Sequence, residues 1–328
     1  MKADAGEALA AATPVRVGIS SCLLGENVRF DGGHKRDRFL TDTLARFVEW
    51  VPVCPEMEMG LGAPRESLRL VGDPDDPTLL APKSSSDHTA GMKAYAKARL
   101  EILDGLELSG YLVKSDSPSC GMERVRVYND AAMPSKKGVG IFARALMDRF
   151  PLLPIEEEGR LHDPSIRESF FERLFAYRRY RDLERGPHRM ADLVRFHSEQ
   201  KYLILSHSPK HYQAMGRLVA QIRPPKRLTS DLVAEYGKLL MEALTVRATR
   251  GKHANVLHHI LGFLKDALAP DDKQEIVTVI DRYRQGLVPL VVPITLVNHH
   301  LRRHDVPWVK GQVYLSPHPI ELMLRNHV

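Results

Sequence analysis

Three short apolar runs in the first part of the chain break off at polar or turn residues, and a cysteine follows each one. Pro14 to Ser21 leads to Cys22, Trp50 to Val53 leads to Cys54, and Gly110 to Ser115 precedes Cys120. Runs of this length and composition read as buried strands. Helical stretches separate them, and that alternation predicts right-handed crossovers and a parallel sheet whose strand C-termini line one edge. Open parallel sheets bind ligands at that edge. Three thiols far apart in sequence are therefore expected in one crevice.

Between these runs the pattern predicts a helix over Asp37 to Phe47, irregular chain from Gly60 to Pro64, and a short hairpin arm starting at Leu68 to Val71. A long helix from about Asp87, with Asp87 as its cap, has Ala90, Ala94, Ala98 and Ile102 as its apolar positions. Val125 to Tyr128 reads as a strand, Val139 to Phe150 as a helix and Leu152 to Ile155 as a last strand, giving four or five parallel strands. Beyond the acidic trio Glu156, Glu157 and Glu158 almost every segment reads as helix. The first of these has Asp163 as cap and Pro164 at its first position, and others are expected to Ser206 and over Pro209 to Ile222, Ser230 to Thr249, His253 to Ala269, Asp272 to Gln285 and Ile294 to His304.

The expected fold is an α/β parallel-sheet N-terminal domain with a second, all-α C-terminal domain. Residues 1–14 are expected to be a flexible tail, with domains over 15–158 and 159–328. With 328 residues, 43% of them hydrophobic, the chain is long enough for two cores. No apolar run approaches the roughly 20 residues a membrane helix needs, so a cytoplasmic protein with no membrane partner is expected. A net charge of +6 favours an anionic partner such as nucleic acid.

In a reducing compartment three cysteines hold little prospect of a structural disulfide. A catalytic zinc site also uses three protein ligands, but none of these cysteines has a Cys or His two to four residues away, as the common zinc modules do. An iron-sulfur cubane fits better, since three thiolates leave one iron open to a substrate atom. Glu58, four residues after Cys54, is a candidate proton-transfer group, and Ser117 and Ser119 flank Pro118 just before Cys120.

The stretches Val-Gly-Ile-Ser-Ser-Cys-Leu-Leu-Gly, Arg-Phe-Asp-Gly-Gly, Val-Cys-Pro-Glu-Met-Glu-Met-Gly-Leu-Gly-Ala-Pro-Arg-Glu and Lys-Ser-Asp-Ser-Pro-Ser-Cys-Gly together resemble the iron-sulfur thiouracil desulfidase family. The second half, with Phe-His-Ser-Glu-Gln-Lys-Tyr-Leu and Gln-Val-Tyr-Leu-Ser-Pro-His-Pro, resembles the domain fused to it in tRNA 2-thiouridine desulfidases. The resemblance implies a [4Fe-4S] cluster held by Cys22, Cys54 and Cys120, with Glu58 and Ser117 as catalytic residues. Ser21, Asn27, Arg29, Asp31 and Ser119 take the substrate-binding positions. It implies non-redox conversion of 2-thiouridine in tRNA to uridine with release of sulfide. Two other functions remain open on the sequence, desulfidation of free 2-thiouracil and related thiolated pyrimidines, and a non-catalytic, cluster-bearing RNA sensor.

A free base needs only the crevice, so the helical half calls for another role. Its first helix interleaves Arg with Tyr and Phe, which makes Arg178, Arg179, Arg181, Arg185 and Lys201 the expected RNA contacts. His197, His253, Asn255, His258 and His259 form a polar set that would suit RNA or a second ligand.

Overall fold

The computed structural model describes residues 15–221, 228–304 and 306–327. The expected tail at 1–14 and the expected helix end at Ile222 lie outside them. The chain divides into two compact units that meet at Asp163 and Pro164.

The first unit is built on a four-stranded parallel sheet in the order β2-β1-β6-β9, formed by β1 (Arg16–Ser20), β2 (Glu49–Val53), β6 (Gly110–Val113) and β9 (Ile155–Glu157). β6 is buried at every position and β1 at all but its first, the signature of strands covered on both faces. The chain leaves β1 to one side, for β2, and returns later to its other side, for β6. That reversal places a crevice at the C-terminal ends of the central strands. Gly18 has no substitute here, because a β-carbon would lie 2.2 Å from the Tyr111 ring on β6.

Val125–Tyr128, β7, does not join that sheet as expected. It pairs with β3 (Arg69–Val71) in a second sheet of order β5-β4-β3-β7-β8, with β4 at Thr78–Ala81, β5 at Ser86–Asp87 and β8 at Pro134–Gly138. Its burial alternates, Val125 and Val127 in and Arg126 out, which suits a sheet with one wet face. The segment expected to be a helix over Asp37 to Phe47 forms a π-turn, Phe39–Thr43, and a 3-10 turn, Leu44–Arg46. Asp37, Thr41 and Asp42 hydrogen-bond locally there and compete with a regular ladder.

Helix α2 (Thr89–Gly105) buries Met92, Ala96, Leu100 and Leu103. The expected alanine stripe faces solvent instead, and Ile102 is 56% exposed. The larger side chains one turn-face away win because they remove more apolar area from water. Asp87 Oδ1 accepts from the Thr89 backbone N–H at 2.8 Å, just before the helix. Helix α1 (Pro55–Glu58) and α3 (Ile141–Arg149) complete the unit.

The second unit is helical: α4 (Pro164–Arg185), α5 (Met190–His207), α6 (Pro209–Gln221), α7 (Ser230–Thr245), α8 (Arg250–Leu264), α9 (Pro270–Arg284), α10 (Val291–Arg303) and the turn α11 (Pro307–Lys310). Thr249, expected inside α7, instead caps α8 by accepting from the Lys252 N–H at 3.4 Å. Among the described residues no helix is long and apolar enough to cross a membrane.

Candidate functional site

A cleft of about 440 Å³ opens at the C-terminal ends of β2, β1 and β6, and all three cysteines line it. Cys22 sits in a 3-10 turn, Ser21–Leu24, that continues the central strand β1. Cys54 directly follows β2, and Ser20 on β1 is in register with Val53 on β2, so these two ends lie side by side. The loop after β6 brings Cys120 from the other flank.

The Cys120 loop is fixed by backbone bonds. Ser117 Oγ accepts from the N–H groups of Ser119 and Cys120, at 3.3 and 3.1 Å. At the start of α3, the N–H groups of Ile141 and Ala143 donate to the carbonyls of Pro118 and Ser119, both at 3.1 Å. A β-carbon at Gly140 would fall 2.5 Å from the Ser119 carbonyl, so only glycine admits this approach.

Burial pushes all three thiols up: Cys22 to about 11, against the pull of the nearby Lys114 ammonium, Cys54 above its ordinary value, and Cys120 well above it. The three also repel one another's thiolate forms, a sign of mutual nearness. Three soft donors in a dry pocket need metal cations to be stable as thiolates. None is in a disulfide, and among the described residues no group of three or more Cys, His, Asp or Glu suits a single metal ion. An all-thiolate set of this kind fits an iron-sulfur cluster.

The helical turn after Cys54 separates its two acids. Successive helical residues rotate by about 100°, so Glu56 and Glu58 face opposite ways. Glu56 lines the cleft, its Oε1 accepting from Ser119 Oγ at 2.8 Å and its Oε2 from Arg65 Nε at 2.9 Å. Arg65 is in turn held by the carbonyls of Val28 and Gly62, at 2.9 and 2.7 Å. Glu58 turns to α2, where Oε2 accepts from the Tyr95 hydroxyl at 2.7 Å and pairs with Arg99 at 3.2 Å, while Oε1 accepts from the Cys54 N–H at 3.0 Å. Burial and that carboxylate push the Tyr95 phenol up. Glu58 therefore braces the Cys54 turn, and Glu56, which sequence spacing did not single out, is the carboxylate on the cleft wall. The signal was the turn itself: Pro55 at a first helical position implies helix, not loop.

Of the other expected contacts, Ser21, Arg29 and Ser117 line the cleft. Asp31 stands outside it and steadies Arg29, at 3.4 Å, while Asn27 is exposed and outside the cleft wall. Ser119, fully buried, reaches the cleft only through Glu56.

The expected RNA contacts fare differently. Arg178 is buried and paired with Asp182 at 3.1 Å. Arg179 is half-buried along α4, its Nη1 donating to the Pro317 carbonyl at 3.0 Å, and burial lowers its pKa to about 10. The apolar spacing of α4, with Phe171, Leu174, Phe175 and Tyr180 inside, rotates these two arginines inward with it. Arg181 pairs with Glu184, and Arg185 is exposed. Lys201 packs over the Trp308 ring at 4.4 Å. In the polar set, His197 and His253 bond buried tyrosines, Tyr236 and Tyr314, each at 3.1 Å, and Asn255, His258 and His259 are exposed.

Residues 17–158 match the family model described as 2-thiouracil desulfurase, and residues 201–319 match that of a protein family of unknown function, DUF1722. The uncharacterized protein YbgA of Escherichia coli (strain K12) is 28% identical over 159 residues, 48% of this chain and 94% of that protein. The solved structure of the [4Fe-4S]-dependent thiouracil desulfidase TudS is 29% identical and covers 45% of this chain and 93% of its own, with a TM-score of 0.37. By these matches the chain is similar over residues 17–158 to the 2-thiouracil desulfurase family and over residues 201–319 to DUF1722.

Proposed function

We propose that the chain is a desulfidase for thiolated pyrimidines that holds a [4Fe-4S] cluster on Cys22, Cys54 and Cys120, and that its substrate is 2-thiouridine in tRNA. The observation that carries the chemistry is the meeting of three thiols and the Glu56 carboxylate in one cleft. A cluster on three thiolates supplies an iron with an open position, a Lewis acid suited to soft sulfur.

The chain's own groups supply the rest. Glu56, fixed by Arg65 and Ser119, keeps one acceptor position of Oε1 unused and orients a water for attack on the ring carbon. Ser117 Oγ accepts two N–H groups, so its own hydrogen is free to donate to the bound base. Arg29 brings a positive charge to the same wall. The net exchange is C=S plus water to C=O plus hydrogen sulfide: the water oxygen bonds to carbon, both its protons leave with sulfur, and no oxidant or reductant is consumed.

A free base needs only the cleft, and the second unit supports a larger substrate. It displays Phe263 and Trp308, 4.7 Å apart and exposed, beside Lys201, the pairing of rings and cations that stacks unpaired bases. A modified base in an unpaired loop is extracted from its stack at modest cost.

The test is anaerobic reconstitution followed by incubation with 2-thiouridine-containing tRNA, 2-thiouridine nucleoside and free 2-thiouracil, with nucleosides measured by mass spectrometry and sulfide assayed. Loss of 2-thiouridine from tRNA with matching uridine and sulfide, at higher kcat/KM than for the free base, is expected. Turnover of 2-thiouracil without any of tRNA would overturn the tRNA assignment.

A further inference from the structure

Within the helical unit lies a second cavity, of about 140 Å³, too small for a drug-sized ligand and of a size for a compact ion or group. One wall is a polar stripe of α4, Ser165, Glu168, Ser169 and Glu172, spaced so that all four share a helix face. Opposite stand Arg247, Arg250 and His253, from the α8 start and the chain before it.

The two acids are already neutralised. Glu172 accepts from Arg325 at 2.7 Å and meets His207 Nε2 at 2.9 Å, and Glu168 meets Arg325 at 3.2 Å and His327 at 2.9 Å. His207 Nδ1 faces the Val246 carbonyl at 2.7 Å, so the ring is held between that carbonyl and the Glu172 carboxylate. The guanidinium groups of Arg247 and Arg250, by contrast, have no hydrogen-bond or ion-pair partner among the described residues, and both residues are exposed. The permanently charged side chains, Arg247, Arg250 and Arg325 against Glu168 and Glu172, leave one positive charge over, and the guanidinium groups of Arg247 and Arg250 are the ones left unpaired.

His253 adds a donor at depth. It is 5% exposed and lines the cavity, with Nδ1 bonded to the Tyr314 hydroxyl at 3.1 Å and no partner for Nε2 among the described residues. The tautomer in which Nδ1 accepts from the tyrosine places a hydrogen on Nε2 that a buried ligand oxygen would satisfy. Tyr283 brings a further hydroxyl.

We propose that this cavity binds a phosphomonoester group: its anionic oxygens match the two unpaired guanidinium forks, the hydroxyls and the imidazole, and its size suits the volume. The site is independent of the desulfidase cleft and of the tRNA assignment.

Calorimetric titration of the full chain with inorganic phosphate, uridine 5′-monophosphate and uridine tests it. Phosphate and the monophosphate should bind one per chain and uridine should not. Arg247→Gln and Arg250→Gln, both at exposed positions, should each weaken binding at least tenfold while leaving the circular dichroism and the turnover of 2-thiouracil unchanged. Absence of phosphate binding, or binding unaltered in the double variant, would overturn the proposal. Affinity for tRNA that falls on removal of its 5′-phosphate assigns the group to the RNA end, and unchanged affinity assigns it to a free phosphorylated compound.

Discussion

Ser119 Oγ donates to Glu56 Oε1 at 2.8 Å, tying the loop that carries Cys120 to the helical turn that follows Cys54. Ser119 is fully buried, so nothing else can replace its hydrogen bond. A charge-assisted bond of this kind contributes about 1.5–3 kcal/mol, and lost orientation of Glu56 translates that into roughly 10- to 100-fold in rate. Ser119→Ala should therefore keep its iron content and lose kcat by that factor. Unchanged kcat would detach Ser119 from the reaction.

The opposite facing of Glu56 and Glu58 predicts unequal variants. Glu56→Gln should retain the cluster spectrum and lose on the order of 10²- to 10⁴-fold in kcat, the usual contribution of a positioned acid or base. Glu58→Gln should instead lower Tm through the lost Arg99 pair, worth about 1 kcal/mol or less, with a far smaller effect on kcat. Steady-state kinetics on both, at matched iron occupancy, decides. A larger kcat loss in Glu58→Gln would return the role to that residue.

Gly140→Ala places a methyl group against the Ser119 carbonyl, a backbone atom that cannot swing aside. The overpacking should cost about 1–3 kcal/mol and push the Cys120 loop out of place. Lower Tm together with a reduced iron-to-protein ratio after reconstitution is expected, and full occupancy at wild-type Tm would show that the loop tolerates the shift.

In the helical unit, burial lowers three histidines: His253 to about 3, and His197 and His318 to about 4. All three are neutral when folded and take up protons when unfolded below about pH 6.5. Their contribution to stability is complete above that value and is lost as pH falls toward the folded values, by up to about 1.4 kcal/mol per unit for each. The lowered Glu172 acts in the same direction at still lower pH. Thermal melts at pH 7.5 and pH 5 should show the helical unit melting earlier at pH 5, and a pH-independent transition would contradict these neutral histidines.

Trp308→Ala should weaken tRNA binding about tenfold, as loss of one stacked base does, without changing turnover of 2-thiouracil. Filter binding against a direct desulfidation assay separates the two effects. Equal affinity in the variant would move the RNA surface elsewhere.

The parallel sheet and the meeting of the cysteines were legible because continuous apolar runs that stop at polar residues report strands buried on both faces. β1 and β6 carry that pattern plainly. What spacing could not report was rotation. On α2 the alanines and Ile102 have the right period and the wrong phase, since the phase is set by Met92 and Leu100 packing inward. The same rotation buries Arg178 behind the aromatic face of α4 and sets Glu56, not Glu58, on the cleft wall. The stripe of α4 that faces the phosphate cavity was equally hidden, because Ser and Glu at helical spacing look like a solvated surface.

The bonds that shape the cluster cleft run through carboxylates, hydroxyls, guanidinium groups and backbone, from Arg65 and Glu56 to Ser117 and the start of α3. Sulfur is a tenant of this frame and not one of its beams. Burial favours the protonated thiol at Cys22 and Cys120, the form that is slow to oxidise. On the proposed cluster assignment, loss of iron should therefore leave this frame in place, and adding iron and sulfide back to the stripped protein should restore activity without refolding.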